Sequence, residues 1–283
     1  MTRPSSGLRK SLSALVITFN EERNVADCLA SASFADEIVV VDSGSTDRTC
    51  EIARRMGAKV YGNPWPGYGP QKNFGMEKAT GDWILIVDAD ERVTPELREE
   101  VSRLLTGPEE PSFAAFTVPR RNHEYGSWIA HGGAYPDRQM RLLRRGKGAY
   151  NDVEVHENLI VDGAIGELRS PLLHFSDRSV SDRVTKIDRY STLSARERAK
   201  RGIPGVGGSH LLLHPAATFW KIYIMKQGFR DGVPGYLHAV MAAYQTFLKY
   251  CKLQEMRSGL ASGNGPSSGA GPTGNVREGG GKR

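Results

Sequence analysis

Three short apolar runs rich in β-branched residues, LSALVITF (12–19), EIVVVD (37–42) and DWILIVD (82–88), each give way to small polar and acidic residues. The stretches between them place apolar side chains at helical spacing, as in EERNVADCLASA (21–32), where Val25, Cys28 and Leu29 fall on one side. TDRTCEIARRMG (46–57) reads as a second helix stopped by Gly57, and AKVY (58–61) as a further strand. Strands apolar on both faces and alternating with helices demand a parallel sheet covered on both sides. The order continues through a Gly/Pro loop (62–70), a helix to Lys78, the strand 82–88, and a helix from Pro95 to Leu105 with Thr94 as its N-cap. The expected architecture is an α/β, doubly wound open sheet, whose ligands sit at the carboxyl ends of the strands.

From residue 112 the pattern changes. FAAFTVPR (113–120) and DRQMRLLR (137–144) read as strands joined by an aromatic, Gly-rich loop (122–137), with short strands to His174 and helices expected at 178–201, 214–230 and 233–253. An N-terminal tail (1–11) and a Gly/Ser/Pro-rich tail (258–283), expected to be disordered, flank a domain at 12–177 and a helical extension at 178–257. Apolar residues are 39% and charged residues 25%, which excludes wholesale disorder and a multi-span membrane protein. The run after the basic N-terminus is too short for a signal-peptide core, and Cys28, Cys50 and Cys251 have no metal-ligand or redox spacing, so a cytoplasmic location is expected.

Chemistry collects at the strand ends. The first ends in Thr18-Phe19-Asn20-Glu21, the second in Asp42-Ser43-Gly44-Ser45-Thr46-Asp47 and the third in Asp88-Ala89-Asp90-Glu91. Singly, Asp42 suits a turn and Asp47 a helix start. Asp88 and Asp90, two positions apart after a buried strand, offer hard oxygen ligands for Mg²⁺ or Mn²⁺, with a nucleotide diphosphate completing the shell. Neither a Gly-x-Gly-x-x-Gly turn nor a Walker lysine follows the first strand, which removes the main support for dinucleotide binding and P-loop phosphoryl transfer. Arg120, Arg121, Arg141, Arg144 and Arg145 form a dense basic group suited to phosphate, or to strand-end solvation. Trp65, Tyr68, Tyr125 and Trp128 offer rings for sugar stacking or for local packing.

ALVITFNEERNVADCLAS, ADEIVVVDSGSTDRT and YGPQKNFGMEKATGDWILIVDADERV resemble the nucleotide-sugar half of family 2 glycosyltransferases of the GT-A fold. VPRRNHEYGSWIAHGGAYPDRQMRLLRRGKGAY, VHENLIVDG, PLLHFSDRS and the C-terminal HPAATFWKIYIMKQGFRDGVPGYLHAV resemble the lipopolysaccharide core β-glucosyltransferase subgroup. The resemblance implies a nucleotide-sugar-binding half (12–110) and an acceptor half (111–177). It places Asp42 against the base with Thr18, Asn20 and Glu21 lining the same pocket, and Lys72 and Asn73 over the nucleotide. Asp88 would face the ribose or the metal, Asp90 would ligate the metal, and His174 in LLHF matches a late histidine near metal and diphosphate. Inverting transfer also needs a carboxylate base: Glu157 of Val155-His156-Glu157 lies where the family places it, and Asp137 is the competitor.

The implied reaction is metal-dependent inverting transfer of a sugar, glucose by subgroup, from a UDP-sugar to a lipopolysaccharide-core or lipid-linked glycan acceptor. Alternatives are a catalytically silent nucleotide-sugar-binding or assembly protein, or transfer to polyprenyl phosphate or a peptide. The net charge of +6 is uneven: residues 1–177 carry 21 Lys+Arg against 26 Asp+Glu, and residues 178–257 carry 14 against 5. Aromatic and aliphatic residues accompany the basic segment and no nucleic-acid module is recognisable, so the expected partner is the anionic inner face of the cytoplasmic membrane, bound peripherally, rather than nucleic acid. A homo-oligomer packed through the same helices is the competing expectation.

Overall fold

A computed structural model describes residues 9–107, 111–151, 158–177, 179–201 and 206–258. These fall into two units, one of residues 9–119 and 138–173, the other of residues 120–137 and 174–258.

The first unit opens with β1 (Leu12–Thr18), α1 (Val25–Ser31), β2 (Glu37–Asp42), α2 (Thr49–Arg55), β3 (Lys59–Gly62), α3 (Tyr68–Lys78) and β4 (Trp83–Asp88). The strands are parallel in the order β3-β2-β1-β4, with Thr18 beside Asp42 and Ile17 beside Asp88. β1 thus lies between strands reached by crossovers in opposite directions, the switch point at which such sheets bind ligands. The strands' two-residue period divides the core. Ala14, Val16, Val40, Leu85 and Val87 pack on one face with α1 and the next helix. Leu15, Val39, Val41, Ile84 and Ile86 pack on the other. Each buried Val, Leu or Ile among them gains about 1.5–3 kcal/mol on burial. On that second face α3 comes so close that a Cβ on Gly75 would overlap Leu15 Cδ1, so only glycine lets it seat.

Beyond β4 come β5 (Glu91–Val93) and α4 (Pro95–Thr106), whose cap is the expected Thr94: its Oγ1 accepts from Leu97 N at 3.2 Å. Then follow β6 (Ala115–Glu124), β7 (Ser127–Trp128), β8 (Asp137–Arg144), β9 (Gly148–Tyr150), β10 (Leu159–Val161), β11 (Ile165–Glu167) and β12 (Leu172–Asp177). Among the described residues ten strands form one sheet along β3-β2-β1-β4-β8-β6-β12-β5, with β7 and β11 paired to β6, and β9 pairs with β10 separately. The fold is α/β with a mixed sheet: β8 runs antiparallel to β4, Leu142 opposite Leu85. Residues 9–11 of the N-terminal segment are pinned, Arg9 to Asp36 and Ser11 to Asp82.

In the second unit the segment expected as a loop from residue 122 continues β6 to Glu124 and turns back into β7. Tyr125 and Gly126 both have positive φ (54° and 79°), the pair of left-handed residues that a two-residue hairpin turn requires. Among the described residues three helices follow: α5 (Val180–Lys200), α6 (Gly208–Trp220) and α7 (Gly232–Arg257), with a π-helical turn (Lys221–Met225) and a 3-10 turn (Gly228–Asp231) between the last two. The helix expected at 214–230 therefore starts earlier and breaks sooner. Gln227 takes a left-handed φ of 57°, and a Cβ on Gly228 would lie 2.9 Å from Ile222 O, so the chain reverses there. α7 packs on α5 and α6 through Ala195, Tyr250 and Leu253, and Lys252 Nζ bonds Asp188 Oδ1 at 2.7 Å. The expected tail from residue 259 lies outside the described residues.

Candidate active site

The loops leaving β1 and β2 are knitted together by one carboxylate. Asp42 Oδ1 accepts from Thr18 Oγ1 (2.9 Å) and Ser45 Oγ (2.5 Å), and Oδ2 accepts from the amides of Gly44 (2.9 Å) and Ser45 (2.8 Å). Burial alone would raise the pKa of Asp42, but these donors outweigh it and hold the carboxyl below its ordinary value. Four donors from the loops after β1 and β2 thus converge on this one carboxylate. Asp42 therefore shapes the loop leaving β2.

Asn20, at a positive φ of 54°, donates its amide to Ser45 Oγ and accepts from Thr46 N through Oδ1, both at 2.8 Å. Glu21 donates its amide to Thr49 Oγ1 and accepts from Asn24 through Oε2. Burial, with the neighbouring Asp42 carboxylate, pushes the Cys50 thiol up to about 11, so it is protonated at neutral pH.

The acidic turn after β4 is organised from β8. Arg141 Nη2 lies 2.5 Å from Asp88 Oδ2 and 2.6 Å from Glu91 Oε1, with the arginine side chain 3% and that of Glu91 0% exposed. Glu91 Oε2 accepts from the amide of Asp88. Burial alone would disfavour the guanidinium, but Asp88 and Glu91 reverse this and keep it charged. Lys72 Nζ stands 3.6 Å from Asp88 Oδ1 and 5.2 Å from the centre of the Tyr150 ring. Asn73 exchanges two bonds with the backbone of Tyr150, through Nδ2 at 2.9 Å and Oδ1 at 2.8 Å, so its amide anchors β9.

The structure thus brings together on one sheet edge Thr18, Asn20, Glu21, Asp42, Lys72 and Asp88, with Asp90 one turn residue further on. The sequence had pointed to the Asp88-to-Glu91 cluster without giving Glu91 a part. Its spacing, three residues past Asp88, was the signal. Among the described residues no three His, Cys, Asp or Glu side chains gather into a metal cage. The acids at this edge are hard oxygen donors, which fit Mg²⁺ or Mn²⁺ held partly by protein and partly by phosphate oxygens.

In the second unit Asp137 Oδ2 receives Arg120 Nε (3.0 Å), Arg120 Nη2 (2.5 Å) and Asn122 Nδ2 (3.2 Å). Asn122 Oδ1 lies 2.7 Å from His174 Nδ1. Because Asn122 Nδ2 faces two acceptors, Asp137 Oδ2 and Ala134 O, its Oδ1 accepts from His174 Nδ1. Asp137 and His174, candidates for base and metal ligand, are therefore joined through one amide. Burial, Arg121 and His174 lower the pKa of neighbouring His123. Glu157, the other base candidate, lies outside the described residues.

The arginines expected to serve phosphate or strand-end solvation have protein partners. Arg141 is spent on Asp88 and Glu91, Arg145 Nε donates to Gly81 O, Arg120 forks onto Asp137, and Arg121 lies over the Trp128 ring at 4.9 Å. Trp65 and Tyr68 meet edge to face, as do Trp128 and Tyr135.

A switch-point sheet whose strand ends carry this acidic edge has the architecture of a GT-A type domain. Residues 13–158 match the Glycosyl transferase family 2 model, and the chain belongs to that family and is a glycosyltransferase. It is 33% identical over 251 residues to the lipopolysaccharide core biosynthesis glycosyltransferase LpsC of Rhizobium meliloti, covering 86% of this chain and 92% of the relative. It is 31% identical over 275 residues to an uncharacterised glycosyltransferase of Rickettsia conorii, covering 92% and 95%. Among solved structures, S. aureus TarS in complex with UDP-GlcNAc is similar with a TM-score of 0.44 and 14% identity, covering 88% of this chain and 92% of that one.

Proposed function

We propose that this chain is a metal-dependent inverting glycosyltransferase that moves a hexose, glucose by its subgroup resemblance, from a UDP-sugar to a lipopolysaccharide-core or lipid-linked glycan. The observation that carries the reading is the convergence of Thr18, Asn20, Glu21, Asp42, Asp88 and Asp90 at one sheet edge of a family 2 chain. The likeness to LpsC supports the acceptor class.

In this reading the Asp42-to-Thr46 loop and Asn20 face the uridine, and Asp88, steadied by Arg141, faces the ribose. Lys72 brings positive charge toward the diphosphate. The family resemblance makes Asp88, Asp90 and His174 the residues that would hold Mg²⁺ or Mn²⁺. The ion, when bound, offsets the charge that builds on the departing diphosphate. Glu157 or Asp137 takes the proton of the attacking acceptor hydroxyl, on the face opposite the leaving group.

The test is turnover of a panel of UDP-sugars with and without Mg²⁺ or Mn²⁺, followed by UDP release and by glycan mass. Metal-dependent UDP release with one preferred sugar, enhanced by a lipopolysaccharide-core acceptor, is the expected result. No turnover of any UDP-sugar in the presence of metal and acceptor would overturn it.

A further inference from the structure

α6 is rich in apolar residues, with leucine at 211–213, Ala216, Ala217, Phe219 and Trp220, yet none of its residues is buried. Its inner side is accounted for: Leu211 packs at the Ala195, Tyr250 and Leu253 core, His214 meets Tyr250, and Thr218 meets Thr246. The opposite side is not. Leu213, Ala217 and Trp220, at i, i+4 and i+7, form one exposed stripe with Leu212 beside it, Leu212 being 73% and Trp220 58% exposed. The turns that follow add exposed Met225 (70%), Phe229 and Val233.

Two further observations say what suits this surface. First, the charge is one-sided: between Val206 and Gln254 the one acid is Asp231, which is occupied by the ring and the amide of His131 at 2.7 Å, whereas Lys221, Lys226 and Arg230 are exposed beside the stripe. Second, no described helix is long and apolar enough to cross a membrane. A helix with apolar side chains outward, cations at its end and too short a span fits a surface that is apolar beneath an anionic layer. The remaining C-terminal chain does not suit the role of cover, since residues 259–283 hold Leu260, Ala261, Ala270 and Val276 as their aliphatic side chains.

We propose that α6 and the turns to Val233 dock on an anionic phospholipid surface, lying in its plane, with Leu213, Trp220 and Met225 in the acyl boundary and Lys221, Lys226 and Arg230 at the phosphates. The inference narrows the membrane expectation for residues 178–257 to this segment. It rests on the transferase reading only for why a lipid-borne acceptor would be met there.

The experiment is flotation of the full chain with phosphatidylcholine vesicles, with and without phosphatidylglycerol, without donor or acceptor, so its failure is distinct from failure of the transferase reading. The expected result is binding to the anionic vesicles alone, weakened by salt because the screening length is about 8–10 Å near physiological strength. L213E/W220E, whose positions touch no core, should lose it, and K221E/K226E should lower it by about tenfold or more. No binding to either vesicle at low salt, or L213E/W220E binding as the wild type does, would overturn the proposal. So would a dimer seen by sedimentation and dispersed by L213E/W220E while vesicles are ignored, which would assign the stripe to a second copy of the chain.

Discussion

Arg141 and Asp88, 53 positions apart in the chain, meet at 2.5 Å, and the same guanidinium reaches the wholly buried Glu91 at 2.6 Å. The acidic turn after β4 is thereby fixed by a strand that enters the sheet antiparallel to it. Arg141 bridges two carboxylates that would otherwise repel at the end of a buried strand, and Lys72 adds a second positive charge beside Asp88.

Replacing Arg141 by Met should leave Glu91 buried without its countercharge, a loss of about 3–5 kcal/mol. The urea midpoint of R141M should fall accordingly, and R141M/E91M should recover most of it, because a buried ion pair exchanged for apolar side chains costs little. R141K should sit between, since an ammonium does not reproduce the guanidinium's fork. A wild-type midpoint for R141M would show that the pair carries no stability.

Asp90→Asn keeps the shape of the turn and removes a charge from a half-buried site, so the protein should unfold as the wild type does while transfer falls by about 10²-fold or more. Chelation of the wild type should give the same loss, restored by Mn²⁺ or Mg²⁺. Activity within tenfold of normal in EDTA would refute the metal role.

The base is decided by two isosteric variants. Glu157→Gln should lower transfer by about 10²-fold or more with UDP affinity little changed, as measured by calorimetry. If Asp137→Asn shows that signature and Glu157→Gln does not, Asp137 is the base. Arg120 and Asn122 already crowd one oxygen of Asp137, so Asp137→Asn should also lower the melting temperature.

Acid stability should depend on Glu37, at the opposite end of β2. Burial alone would raise its pKa, but Lys59, Ser13 and Thr80 hold it at about 2, against an ordinary value of 4.5. A depressed carboxylate stabilises the fold fully above its unfolded pKa and loses that contribution as pH falls through the folded one. The gap corresponds to at most about 3 kcal/mol, trimmed by screening at exposed Lys59 to about 1–2 kcal/mol. Glu37→Gln should therefore lower the melting temperature at pH 7 and narrow its difference from the wild type between pH 4.5 and 2. Parallel melting curves across that window would contradict this.

Local signals made the first unit legible: apolar runs for β1, β2 and β4, and Thr94-Pro95 for the start of α4. The acidic residues at the strand ends were visible because parallel topology alone gathers them. What stayed hidden is long-range. Nothing beside Asn73 in the chain announces that its amide is spent on Tyr150, and Arg141 reads as a phosphate ligand until β8 is paired with β4. Tyr125 conceals a hairpin because a tyrosine seldom takes positive φ, and the glycines at 207 and 208 mask the early start of α6.

The debt of Glu91 to Arg141 also bears on how this enzyme can be cut or recombined. The segment ending near residue 110 carries an interior anion, Glu91, whose countercharge is encoded 50 residues downstream of it. Chimeras that exchange only that segment must bring a compatible β8 with it, and a crossover placed after Arg144 respects the pairing that one placed at residue 110 severs.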